Sequence, residues 1–264
     1  MTRRALSAAL ACLVSANAPA HAQDGMARVD LLPGWRADGR HFAALRITLA
    51  PGWKTYWRSP GDAGIPPHFD WSGSGNLQSI RVHWPVPHVF GSNGLTSIGY
   101  ADGVVLPVEI VPNDPGAPID LSLALDLGVC EDICVPFSAT LAGTLDAGPV
   151  RPDARIRAAL ADRPLSKDEA GVGQVDCTLA PTADGMNLTA TFAMARRGRD
   201  EFAVIETADP SVWVSQAETR RDGATLAAMA EIVPPPGDPL MLDRSGLRIT
   251  VLDGGGAVEI RGCD

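Results

Sequence analysis

Between Ile119 and Leu141 apolar side chains recur at every second residue: Ile119, Leu121, Leu123, Leu125 and Leu127, then, after an interruption, Phe137, Ala139 and Leu141 with the same parity. A period of two puts such a row on one face of a pleated strand, whereas a helix would scatter it around its circumference. The segment reads as a β-hairpin whose strands are joined by Gly128-Val129-Cys130-Glu131-Asp132-Ile133-Cys134-Val135-Pro136, a loop in which pairing has stopped and both cysteines are accessible. The same alternation marks Ala43 to Leu49, Ile80 to Trp84 and Leu106 to Ile110, with turns at Pro51-Gly52, Ser72-Gly73-Ser74-Gly75, Asp102-Gly103 and Asn113-Asp114-Pro115-Gly116. Short strands at this spacing predict an all-β chain that begins with an immunoglobulin-like β-sandwich over residues 23–147.

The pattern changes over residues 148–173, which are charged and contain proline; they read as a linker with about two helical turns at Ala154–Leu160. Alternation returns in Leu188–Phe192, Phe202–Ile205, Val212–Val214, Leu247–Val251 and Val258–Ile260, the last two flanking the hairpin signal Asp253-Gly254-Gly255-Gly256. A second, smaller β-sandwich is expected over residues 174–264.

Residues 1–22 have the build of an export signal: Arg3 and Arg4, an apolar stretch from Ala5 to Val14, and the small-x-small site Ala20-His21-Ala22. Cys12 lies inside that stretch, but Ala9 stands where a lipoprotein signal calls for an aliphatic residue, so ordinary cleavage is the better match. Past the leader no apolar run approaches the roughly 20 residues that cross a bilayer, so no direct membrane span is expected. Loss of Arg3 and Arg4 takes the formal charge from −9 to −11, and no basic cluster remains to grip nucleic acid. The expected compartment is the periplasm, where disulfides form and persist.

Four cysteines remain after cleavage. In the chain-entropy model a link closing the five residues from Cys130 to Cys134 contributes about 2 kcal/mol, and one from Cys177 to Cys263 about 4.5 kcal/mol. The long link is read as a structural disulfide, with a second redox centre as the competing view. The short one does little for stability, and a tight loop strains a disulfide toward easier exchange, which points to thiol–disulfide chemistry at Cys130 and Cys134. A passive staple and a metal site are the other readings. Thiolates together with one or two of His41, His68, His83 and His88 would suit copper or zinc, but oxidised cysteines cannot ligate. Glu131 and Asp132 between the sulfurs are expected to raise the thiol pKa and slow random oxidation. Pro136, lacking an N–H, is expected to end strand pairing beside Cys134. Charge favours Cys134, farther from Asp126, as the sulfur attacked first.

Three motifs carry a resemblance: Gly128 to Pro136 with its two cysteines; Gly52-Trp53-Lys54-Thr55-Tyr56-Trp57-Arg58; and Trp84-Pro85-x-Pro87 followed by Tyr100-x-x-x-Val104-x-Leu106-Pro107. Over about residues 30 to 145 the chain resembles the N-terminal periplasmic domain of the DsbD and ScsB thiol:disulfide interchange proteins. That resemblance implies an immunoglobulin-like sandwich whose cysteine pair, here Cys130 and Cys134, takes electrons from a thioredoxin-like domain and passes them to periplasmic disulfide proteins. It also implies a cap loop over the sulfurs, corresponding to about His88–Gly99, where Phe90 or Leu95 would stand in for the family's aromatic residue. The cysteine spacing is tighter than in the best-known members, and their membrane and thioredoxin-like domains have no counterpart here.

Tyr56, Trp57, Phe90, Tyr100 and Pro136 are candidates to line the site, although aromatic residues more often pack in a core. Asp62, His68 and Asp70 fit no rigid ligand spacing and read as loop residues. The leading expectation is a relay that carries reducing equivalents from a thioredoxin-like or membrane donor to periplasmic disulfide clients, with no cofactor. The alternative is a non-catalytic binding module, for copper handling or client docking, in which the disulfides are structural.

Overall fold

The computed structural model describes residues 25–92, 94–148 and 151–263; the expected leader, residues 1–22 with Cys12, lies outside them. The first ten strands in chain order are β1 (Ala27–Ala37), β2 (Arg40–Leu49), β3 (Lys54–Gly61), β4 (His68–Asp70), β5 (Ser79–Val82), β6 (His88–Ser92), β7 (Leu95–Ala101), β8 (Gly103–Val111), β9 (Ile119–Cys130) and β10 (Cys134–Leu145). They form two sheets, one ordered β1-β2-β8-β5 and the other β10-β9-β3-β7-β6, with β4 also paired to β9. This is the immunoglobulin-like sandwich expected from the alternation.

The inward row of β9 is buried as the period requires: Ile119, Leu121, Leu123, Leu125 and Leu127 are each at most 3% exposed. At about 2 kcal/mol for each such side chain removed from water, this row alone anchors the hairpin to the core. The opposite sheet supplies Leu45, Leu106, Val108 and Ile110 to the same cluster.

The hairpin runs further than the sequence pattern indicates. Pairing continues through Pro136↔Gly128 and Val135↔Val129 to Cys134↔Cys130, leaving a three-residue tip of Glu131, Asp132 and Ile133. The expectation that both cysteines lie in an unpaired loop, and that Pro136 ends the ladder, is therefore corrected. The physical reason is the position of β10 at the sheet edge, where a residue without an N–H can sit in a strand with no ladder bond lost.

Past Leu145, the helix α1 (Ala154–Ala161) starts at Asp153, whose carboxylate accepts from the Arg155 backbone N–H at 2.8 Å. Its one fully buried residue, Ile156, packs with Leu32, Trp35 and Ala44 on the outer face of the first sandwich. The next strand, β11 (Leu165–Ser166), instead joins a sheet of the second sandwich. The connecting segment is thus fastened at both ends.

The remaining strands are β12 (Val175–Pro181), β13 (Met186–Ala193), β14 (Phe202–Glu206), β15 (Trp213–Val214), β16 (Glu218–Asp222), β17 (Thr225–Val233), β18 (Arg248–Leu252) and β19 (Ala257–Arg261). One sheet is β11-β19-β18-β14; the other is β12-β13-β17-β15, with β16 also on β17. The Asp253–Gly256 turn closes the β18–β19 hairpin, the Asp253 carboxylate accepting from the Gly255 and Gly256 N–H groups. Cys177 on β12 and Cys263 just after β19 form a disulfide with Cα atoms 5.8 Å apart. These strands belong to different sheets, so the bond crosses the sandwich rather than joining neighbouring strands.

The two sandwiches bury surface against each other. Val204, Leu252 and Ala257 belong to the apolar cluster of the first sandwich, and Arg58 of β3 reaches across to the Glu206 carboxylate in a fork of two 2.9 Å bonds and to Glu259 at 3.0 Å. Its guanidinium lies 3.9 Å from the ring of the buried Trp57.

Candidate thiol–disulfide site

Residues directly opposite in an antiparallel pair have Cα atoms about 4.5–5.5 Å apart, inside the range a disulfide accepts. Cys130 and Cys134 are such a pair, and their Sγ atoms stand 2.6 Å apart, so no backbone movement is needed to join or separate them. The two sulfurs differ in access. Cys130 is buried, whereas Cys134 is exposed beside Ile133, itself 76% exposed at the tip.

β3 lies against the end of β9, with Lys54 opposite Cys130 and Thr55 opposite Val129. The buried Thr55 hydroxyl donates to the Gly128 carbonyl at 2.9 Å and fixes that register. One residue on, the Tyr56 hydroxyl sits 2.8 Å from Cys134 Sγ. Its ring occupies space that two glycines leave open: a Cβ on Gly64 would fall 2.8 Å from one ring edge and a Cβ on Gly128 2.9 Å from the other. The loop after β3 completes the cover, with the Ala63 carbonyl 3.8 Å from Cys134 Sγ and Ile65 over Gly128.

Burial, and next the adjoining Cys134 thiol, push the Cys130 thiol above its ordinary value of 9.0, against the pull of the Tyr56 hydroxyl and the Lys54 ammonium. A raised value was expected, but from Glu131 and Asp132. Both acids are exposed at the tip, and desolvation takes the place of their charge as the cause. Burial, followed by hydrogen bonds to the two sulfurs, drives the Tyr56 phenol far above its ordinary range, so it stays protonated and able to donate to a thiolate.

Of the residues read as site lining, Tyr56 touches a sulfur directly. Trp57 is fully buried in the sandwich core, and Tyr100, also buried, donates to the Pro85 carbonyl at 2.8 Å. Phe90 is one step removed, its ring centroid 5.3 Å from the Lys54 ammonium. Leu95, 52% exposed, lies on the β6–β7 hairpin, and Pro136 is exposed two residues beyond Cys134. The groups that cover Cys134 come from Tyr56 and Ala63. No apolar period in the sequence marks Asp62 to Ile65 as a cover.

The four histidines are dispersed: His41 bonds to the Pro33 carbonyl, His83 to Glu109, and His68 and His88 lie on β4 and β6. Among the described residues no three His, Cys, Asp or Glu side chains converge to hold a metal ion, and no helix is long and apolar enough to cross a membrane.

No curated protein matches the chain. Its fold is similar to the crystal structure of the N-terminal periplasmic domain of ScsB from Proteus mirabilis, with a TM-score of 0.61 at 23% identity over 89% of this chain and 90% of that one. At that coverage the likeness extends into the second sandwich. Residues 23–146, which end just past the cysteine hairpin, match the family described as thiol:disulfide interchange protein DsbD, N-terminal, so the first sandwich is a domain of that family.

Proposed function

We propose that this is a periplasmic electron carrier that relays reducing equivalents through Cys130 and Cys134, from a thioredoxin-like or membrane dithiol donor to disulfide-bonded periplasmic clients. The observation that carries the reading is the asymmetric sulfur pair, one exposed and one buried, within bonding distance beneath a protonated tyrosine. In this reading residues 23–147 perform the exchange, and the Cys177–Cys263 disulfide serves only the second sandwich.

In the oxidised protein a donor thiolate attacks Cys134 Sγ, the sulfur it can reach. The Cys134–Cys130 bond breaks, the electron pair leaves on Cys130, and Tyr56 donates a hydrogen bond to the departing sulfur. The donor's second thiolate then attacks the mixed disulfide and releases Cys134, so two electrons and two protons have moved and the donor is oxidised. Toward a client the roles reverse: Cys134 attacks, and Cys130 resolves by re-forming the internal bond. Ile65 and Ile133 flank the exposed sulfur and offer a partner apolar surface to cover.

Titration of the native mature protein with dithiothreitol or glutathione, read by alkylation, tests this. The pair is expected to open in the folded protein at a potential well above the roughly −300 mV below which structural disulfides lie. Cys130→Ala, which leaves the exposed sulfur without its resolving partner, should accumulate mixed disulfides in periplasmic extract, and Cys134→Ala far fewer. If the thiols appear only on unfolding, or neither variant forms an adduct, the proposal fails.

A further inference from the structure

Away from the sulfurs, the connector and the two sandwiches enclose a cleft of about 770 Å³. Ligand sites commonly measure about 300–1,000 Å³. Six cations line it: Arg58 of β3, Arg81 of β5, Arg163 and Lys167 of the connector, Arg248 of β18 and Arg261 of β19. Asp168 and Glu259 are the acids on its wall, and Glu169 and Glu206 stand behind as partners of Arg163 and Arg58. Cations therefore outnumber acids here, in a chain whose formal charge is −9. A local excess of this sign attracts anions.

Two of these cations are left short of partners. The Arg248 guanidinium comes only within 3.8 Å of Glu206 and 3.7 Å of Glu259, beyond hydrogen-bond range. Both carboxylates are already engaged by Arg58, at 2.9 and 3.0 Å, and Glu259 also by Arg261 at 2.8 Å. Arg81 is exposed on the same wall and makes no ion pair among the described residues. Beside them Phe69 and Trp84, edge to face at 6.1 Å, supply an apolar wall. A guanidinium presents a planar fork of donors that matches a carboxylate or phosphate with two parallel bonds.

We propose that this cleft binds a small anion bearing at least two carboxylate or phosphate groups, gripped by Arg248 and Arg81 beside Trp84. The site lies apart from the two sulfurs, and neither Arg81 nor Arg248 touches them. Because Arg81 and Arg248 belong to different sandwiches, the bound anion ties the two together.

Isothermal titration of the mature protein with citrate and, separately, with pyrophosphate, each against sodium chloride at matched ionic strength, tests the site. Saturable one-to-one binding is expected, and citrate against pyrophosphate distinguishes a carboxylate from a phosphate ligand. Arg81→Gln and Arg248→Gln should each weaken it by about tenfold or more, as loss of a charge-assisted bidentate contact does. Arg248→Lys, which keeps the charge and loses the fork, should weaken it similarly and covers the case in which the glutamine variant folds poorly. The rate of Cys130–Cys134 reduction by dithiothreitol should be unchanged in all three. Absence of saturable binding to either anion, or affinities in the variants within twofold of the parent protein, would overturn the assignment.

Discussion

Replacing Tyr56 by Phe removes one oxygen and leaves the ring seated between Gly64 and Gly128. The lost group is the hydroxyl 2.8 Å from Cys134 Sγ, which also lowers the pKa of Cys130. A hydrogen bond to a full charge contributes about 1.5–3 kcal/mol, and in thiol–disulfide exchange the charge on a sulfur is roughly half developed in the transition state. Half of that range corresponds to a reduction by dithiothreitol that is roughly four- to twelvefold slower. Stopped-flow mixing with an alkylating quench measures the rate directly. Tyr100→Phe is the control, since its hydroxyl serves the Pro85 carbonyl, and its rate should match the parent protein. A Tyr56→Phe rate within twofold of the parent across neutral to mildly alkaline pH would refute the assignment of the hydroxyl as donor to the departing sulfur.

A methyl group at Gly128 would fall 2.8 Å from Ile65 and 2.9 Å from Tyr56, so Gly128→Ala should lower stability by about 1–3 kcal/mol in urea titration and displace the cover over Cys134. Replacing Cys177 and Cys263 together by Ser should cost about 4.5 kcal/mol, seen as a lower urea midpoint, while leaving the dithiothreitol reaction at Cys130–Cys134 at its parent rate. His41 donates from Nε2 to the Pro33 carbonyl, its Nδ1 is buried without a partner, and burial followed by the nearby Arg36 charge holds its pKa below 6.5. Such a group stabilises the fold above pH 6.5, and the contribution fades as pH falls through the lowered folded value. Urea midpoints should therefore drop more steeply on acidification in the parent protein than in His41→Gln; parallel slopes would contradict this.

What could be read in the sequence follows from which interactions are periodic. The row from Ile119 to Leu127 repeats with the strand, so the sandwich and the place of the cysteines at one hairpin end were legible. The end of the ladder was not, because tolerance of Pro136 depends on β10 being an edge strand, a property of sheet order. The thiol environment was half legible. Acids beside a cysteine are visible in any sequence, but burial of Cys130 is set by β3 lying across the end of β9, a contact between residues more than seventy positions apart. The cover from Ala63 to Ile65 left no mark for a similar reason: small residues there matter only because the Tyr56 ring needs their space.

β3 links the cysteine pair to the second sandwich. Within five residues it sets Lys54 beside Cys130, Tyr56 on Cys134, Trp57 in the core and Arg58 in the ion cluster with Glu206 and Glu259. Pairing between β3 and β7 shifts register after Tyr56 and resumes only at Gly61, so the stretch between them lacks a continuous ladder on that side. What holds it is Arg58, only 12% exposed, bonded to two carboxylates of the second sandwich and stacked on Trp57. The tyrosine whose hydroxyl lies on Cys134 is therefore placed from one side by the Thr55–Gly128 bond and from the other by a guanidinium anchored in the neighbouring sandwich. The place of Tyr56 beside Cys134 rests on both anchors, and only the first belongs to the sandwich that carries the cysteines.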